Sequence, residues 1–175
     1  ALPNFLLYQI AWCACLLGAA GGQPLAGVAI ALGVAGLHLA LARSPATELA
    51  IVLLTGVIGG VWEYVMMNQD WVRYAGAESA RFPPAWIIAL WLSFATTFNI
   101  ALRWLQDRLI MAALLGLIGG PLAWDAGQRM GALVLPDPPL DLMFIGAGWA
   151  VLMPLLLRLT QELTITAPTN ATPED

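Results

Sequence analysis

Residues 47–67 read TELAIVLLTGVIGGVWEYVMM, from Thr47 to Met67, an apolar run with two acids, Glu48 near its start and Glu63 near its end. About 20 such residues, at about 1.5 Å rise each, cross the roughly 30 Å hydrocarbon core of a bilayer. The run therefore predicts a membrane-spanning helix. Working outward, five more runs of this kind occupy residues 2–20, 24–42, 84–105, 109–134 and 140–159. Most breaks between them are short: Gly21-Gly22-Gln23, Arg43-Ser44-Pro45, Gln106-Asp107-Arg108 and Pro136-Asp137-Pro138-Pro139, with one longer segment at 68–83. Short connections make consecutive helices antiparallel neighbours. The expected fold is all-α: a polytopic membrane helix bundle with about six transmembrane helices, formed as a single domain by residues 1–160. Residues 161–175, polar, acidic and without periodicity, read as a flexible tail.

Composition supports that reading. Of the 175 residues 60% are hydrophobic and 10% charged, with a mean hydropathy of +0.79, against about 25% charged residues in soluble domains. A soluble domain is excluded. All seven basic residues are arginine and the net charge is −4, so no nucleic-acid partner is expected. The small residues Gly18-Ala19-Ala20 after an apolar run imitate the end of a signal peptide, but no basic region precedes them, and the segment is read as the first span. An even number of spans puts both termini on one side. That side collects Arg43, Arg103, Arg108 and Arg158, the other Arg73, Arg81 and Arg129, four against three, which favours cytoplasmic termini.

Glycine spacing speaks to packing. Gly18/Gly22, Gly56/Gly60, Gly116/Gly120 and Gly127/Gly131 are spaced i, i+4 in apolar sequence, and small residues let helices approach closely where no hydrophobic drive operates between them. In the fifth span Gly116, Gly120, Ala123, Gly127 and Gly131 form one predicted face. Intramolecular packing is its expected use; a homodimer contact or a lipid groove are the alternatives. Gly56-Val57-Ile58-Gly59-Gly60 recurs as Gly116-Leu117-Ile118-Gly119-Gly120, and each precedes a Trp-acid pair, Trp62-Glu63 or Trp124-Asp125, with a two-residue offset and Pro121 in one copy alone; an internal repeat and a chance similarity of Gly-rich apolar segments are the alternatives.

Polar side chains inside spans are costly and mark candidate sites. They fall into two expected layers. Glu63 and Asp125 lie late in spans that run away from the termini, and Arg129, one turn beyond Asp125, is placed to neutralise it. Glu63 has no basic partner in its own helix, leaving Arg129, Arg73, Arg81 or interfacial water. Toward the termini, Asn4, Gln9, His38, Thr96, Thr97, Asn99 and Arg103 fall at similar depth, as a polar pocket or as hydrogen bonds between helices. Of the tryptophans, Trp71, Trp86 and Trp104 are expected at span ends; Trp12, Trp91 and Trp149 lie deeper, filling gaps or flanking an acyl chain, an isoprenoid or a carotenoid.

The elements Asn4-x4-Gln9-x2-Trp12, Leu37-His38-Leu39, Phe94-Ala95-Thr96-Thr97-x-Asn99 and Gly119-Gly120-Pro121-Leu122 resemble, over nearly the whole chain, a family of small bacterial inner-membrane proteins catalogued as a domain of unknown function. Members are often encoded beside fatty-acyl methyltransferases of the cyclopropane-synthase type and flavin oxidoreductases, so the resemblance implies a link to membrane-lipid modification. The chain departs from the family pattern at Ile100, where a histidine is usual, and at Trp62-Glu63, where a small acidic-hydroxyl pair is usual.

No catalytic machinery is legible. One histidine and a Cys13-x-Cys15 pair directed to different helix faces make no metal site; Ser44, Ser79 and Ser93 lack a nucleophile-elbow context; and the glycine segments lack the lysine of a phosphate loop. No catalytic residue, metal or cofactor is assigned. The expected function is an accessory or assembly subunit that packs against membrane lipids, a membrane-protein complex or a second copy. A small transporter or lipid-handling protein, and a membrane enzyme linked to fatty-acyl modification with His38 as acid-base, are the alternatives.

Overall fold

The computed structural model describes residues 1–77 and 80–166. Ser79 and the tail from residue 167 onward, with the Asn170-Ala171-Thr172 sequon, lie outside the described residues. The chain forms α1 (Leu2–Ala20), α2 (Pro24–Leu41), α3 (Pro45–Asn68), β1 (Arg73–Tyr74), α4 (Ala85–Ala95), α5 (Leu109–Arg129), β2 (Leu133–Val134) and α6 (Pro138–Thr166), with a short 3₁₀ turn at Arg103–Leu105. All the helices except α4 are long and apolar enough to cross a membrane, five in number. The fold is all-α in its architecture and that of a multi-pass membrane protein. Its outer surface is correspondingly apolar, with Leu25, Leu41, Val57 and Ile110 largely exposed.

Prolines and glycines delimit the helices as their backbone chemistry requires. Pro24 and Pro45 occupy the first turns of α2 and α3, where a missing N–H costs nothing. Between α1 and α2 the chain turns through Gly22, at φ +72. At the end of α5, Gly131 adopts φ +82 while the Ala132 N–H donates to the Gly127 carbonyl at 3.0 Å and the Gly131 N–H to Gln128 at 2.9 Å, the paired bonds of a Schellman cap. This corrects the expected fifth span of 109–134. Gly131 is a cap rather than part of a packing face, and the following residues leave the helix for β2.

A second correction concerns the expected span 84–105, which is helical only over Ala85–Ala95. The Ser93, Thr96 and Thr97 hydroxyls donate to the carbonyls of Leu90, Ser93 and Phe94 at 2.9, 2.7 and 2.7 Å. Meanwhile the Thr96, Thr97 and Phe98 N–H groups bond three residues back. Hydroxyls that compete for helix carbonyls and a ladder tightened to i, i+3 end the α-helix there. At its other end α6 continues to Thr166, through the start of the segment expected as tail.

Packing follows the hairpins, α1 with α2 and α5 with α6, while α4 sits against α2 and α3 and α6 also meets α3. Glycines set the closest approaches. A Cβ at Gly27 would fall 2.5 Å from the Cys15 backbone, one at Gly116 2.2 Å from the Trp149 carbonyl oxygen, and one at Gly59 2.1 Å from the Trp91 ring. Gly56 and Gly60 receive Leu92 and Ile88, and Gly120 receives the Trp149 ring. The two similar segments differ in use: Gly59 of α3 seats Trp91 of α4 while its counterpart Gly119 meets nothing, and Gly116 and Gly120 of α5 seat Trp149 of α6 where Gly56 and Gly60 receive Leu92 and Ile88; the two indoles stack at 5.1 Å. At the end of the bundle away from the termini, β1 pairs antiparallel with β2, Arg73 opposite Val134 and Tyr74 opposite Leu133. This clips the 69–84 loop to the end of α5.

Candidate functional site

The stacked indoles form one wall of a cavity of about 610 Å³ enclosed by α1, α4, α5 and α6. Tyr8 and Trp12 of α1, Phe94 of α4 and Trp124 of α5 complete an aromatic lining, with Phe94 packed edge-on to Trp91 and Trp149 and tilted against Tyr8. Near their C-terminal ends α1 and α5 touch, Leu16 by Gly127 and Ala20 by Gly131. Toward their N-terminal ends the lining residues Phe5, Leu115 and Gly119 are exposed, so the cavity has its mouth between α1 and α5, on the apolar outer surface. A Cβ at Gly119 would meet no atom within 4 Å. Among the described residues, the buried indole N–H groups of Trp124 and Trp149 and the carboxamide of Gln9, all on residues of this lining, have no hydrogen-bond partner.

A second cavity, of about 900 Å³, opens at the end of the bundle that carries both termini. His38 Nε2 lies 2.9 Å from Glu48 Oε2, with the His38 side chain 8% exposed. The other Glu48 oxygen accepts from Asn99 Nδ2 at 2.8 Å, and Asn99 Oδ1 accepts from Gln106 Nε2 at 3.0 Å. Asn99 also donates to the Thr164 hydroxyl at 3.2 Å, tying the end of α6 to this cluster. Asn4 donates to the Thr96 carbonyl at 3.1 Å, while its own carbonyl oxygen is buried without a donor. Arg43 and Arg103 stand exposed at the rim.

The structure therefore divides the polar layer expected near the termini. Asn4, His38, Thr96, Asn99 and Arg103 line the polar cavity, whereas Gln9 and Thr97 line the aromatic one. Asn99, an expected candidate, is the most connected side chain of the polar network, bonded to Glu48, Thr164 and Gln106; its partners Glu48 and Gln106 were not among the expected candidates. The available signal was Glu48's place in the first turn of α3, which a short connection brings level with His38 near the end of α2.

The other expected layer also separates. Glu63 is fully buried; it accepts from the Tyr74 hydroxyl and, at 2.8 Å, from the Trp91 indole N–H. Its partners are thus two neutral donors and none of the arginines considered from sequence. Burial, with Glu63 beside it, pushes the Tyr74 phenol well above its ordinary pKa, which keeps the hydroxyl a donor. Asp125 and Arg129 instead form an exposed pair at 2.7 Å, apart from Glu63. Among the expected packing residues, Gly56, Gly60, Gly116 and Gly120 receive neighbouring side chains or backbone, and Gly127 receives Leu133 and Leu16. The tryptophans expected at span ends differ among themselves: Trp104 is half exposed, Trp86 is buried against the Tyr74 ring, and Trp71 stacks on Phe144 at 4.5 Å.

A family model described as "Protein of unknown function (DUF2878)" matches residues 1–155. No curated protein and no solved structure matches the chain.

Proposed function

The chain belongs to this family of proteins of unknown function, and on that footing we propose, from its own geometry, that it handles lipid, holding the acyl chain of a membrane lipid in the aromatic cavity. It would do so as a protein of a bacterial inner membrane with both termini in the cytoplasm. The observation that carries the reading is the lining itself: aromatic and apolar, open on the surface that faces lipid, with the Gln9 carboxamide unpaired among the described residues. Ligand cavities of a few hundred Å³ with few polar groups are the common form of small-molecule site. An unpaired N–H in a hydrocarbon layer costs about 1–3 kcal/mol, so the Gln9 carboxamide favours an occupant with an oxygen to share, such as an acyl ester.

The test is native mass spectrometry of the protein released from membranes in mild detergent. Wild type is expected to carry lipid, and Gly119→Leu, whose side chain would grow into the open cavity, to lose it while remaining folded. A wild type that consistently emerges without lipid sinks the reading.

A second reading, an accessory subunit that docks on another membrane protein or on a second copy, draws on α2. Ala26, Ala29, Gly33, Gly36 and Ala40 form an exposed small-residue face there, and neither Gly33 nor Gly36 has a neighbour where a Cβ would stand. Such faces suit close helix contact. If they serve it, Gly33→Leu with Gly36→Leu releases a co-purifying subunit or splits a dimer; an unchanged oligomeric state and partner set removes this reading.

A further inference from the structure

We propose that the polar cavity at the terminal end binds the phosphate of a phospholipid headgroup. This goes beyond the acyl-chain reading and concerns a different cavity. Three observations converge on an anion. Arg43 and Arg103 both line the cavity, and among the described residues neither is in an ion pair, as is also the case for Arg81 and Arg108, whereas Arg73, Arg129 and Arg158 pair with Asp70, Asp125 and Glu162 at 2.6, 2.7 and 2.9 Å. The acids that share the cavity already have partners: Glu48 is held by His38 and Asn99, and Asp107 accepts from Gln161 at 2.9 Å. The N-terminus of α3 also opens here. Ser44 and Thr47 line the cavity, and the Ser44 hydroxyl engages Thr47 at 2.8 Å instead of capping the helix. First-turn N–H groups are thereby left for an acceptor, and the helix dipole favours negative charge at that point.

Two arginines that offer forked donors suit a phosphate. The rest of the lining points to an amphiphile rather than a water-soluble anion, because Leu7, Leu37, Leu41 and Ile165 alternate with the polar groups.

The experiment titrates the full chain, purified in mild detergent, with phosphatidylglycerol, with diacylglycerol bearing the same chains, and with inorganic phosphate, reading bound ligand by native mass spectrometry and thermal shift. Phosphatidylglycerol is expected to bind, to weaken with salt, and to lose at least about tenfold in affinity in the R43Q/R103Q variant, the loss of charge-assisted hydrogen bonds. Diacylglycerol is expected not to occupy this site. In the Gly119→Leu background, where the aromatic cavity is filled, equal binding with and without R43Q/R103Q, or equal binding of diacylglycerol, overturns the proposal. So does inorganic phosphate that saturates at the same concentration as the lipid, which would assign the site to the free anion. Both arginines are exposed, and lipid retained in the aromatic cavity reports that the variant is folded. Failure here and failure of the acyl-chain reading are therefore separate results, because Gly119→Leu removes the second ligand alone.

Discussion

A carboxyl group without a counter-ion inside a hydrophobic bundle persists only if hydrogen bonds replace the water it has left. Glu63 has two, from Tyr74 and Trp91, and each joins it to something else: Tyr74 to the clip between β1 and β2, Trp91 to the wall of the aromatic cavity. Glu63→Leu leaves both donors buried and unpaired, and should cost about 2–4 kcal/mol in thermal unfolding. Glu63→Gln, which keeps one acceptor oxygen, should cost about half that. The Tyr74 phenol adds a pH dependence. Its folded-state pKa is raised, so above about pH 10 the unfolded chain loses a proton that the folded chain keeps. Stability present below that pH therefore falls as pH rises; Tyr74→Phe should be less stable at neutral pH but free of this alkaline loss. Asp125→Asn is the control. Its pair with Arg129 is exposed, and exposed pairs contribute at most about 1 kcal/mol, so unfolding should hardly change.

The helical glycines divide into those whose Cβ position is filled by a neighbouring segment and those, Gly33, Gly36 and Gly119, where it is open. Gly59 and Gly116 lie against the Trp91 ring and the Trp149 backbone, so Gly59→Ala or Gly116→Ala forces a shift in packed structure and should destabilise by about 1–3 kcal/mol. Gly119, one residue from Gly120 on the same helix, faces open space, and Gly119→Ala should raise stability by about 0.5–1 kcal/mol through helix propensity alone. Chemical or thermal unfolding of the three variants in one detergent separates these outcomes. The i, i+4 spacing identified glycine-rich faces in the sequence but not which glycine carries the contact. Gly59 and Gly27, outside the expected pairs, make two of the closest approaches because Trp91 and the Cys15 backbone stand opposite them. What lies opposite a small residue depends on the rotation of the facing helix, which spacing within one helix does not report.

At the scale of the molecule, both ends of the described chain meet at one end of the bundle, since Asn4 bonds to Thr96 and Thr164 to Asn99. Cysteines introduced at Ala1 and Thr166, in a chain with Cys13 and Cys15 replaced by alanine, should therefore react with an impermeant maleimide from the same side of the membrane. Labelling from opposite sides would contradict the fold. The membrane-helix class was legible in the sequence because lipid selects on composition and run length, and both are local quantities. Runs of about 20 apolar residues, Pro-Gly breaks and scarce charge needed no tertiary information to be read. The short α4 was not legible, because hydropathy does not register hydroxyls that compete for backbone carbonyls. Nor was the division of one expected polar layer into two sites. Depth along a helix follows from position in the chain, so Gln9 and His38 could be placed at similar height from sequence. Which neighbour each faces depends on how the helices are rotated against one another. Gln9 faces an aromatic cavity and His38 meets Glu48, and that is a property of the assembled bundle alone.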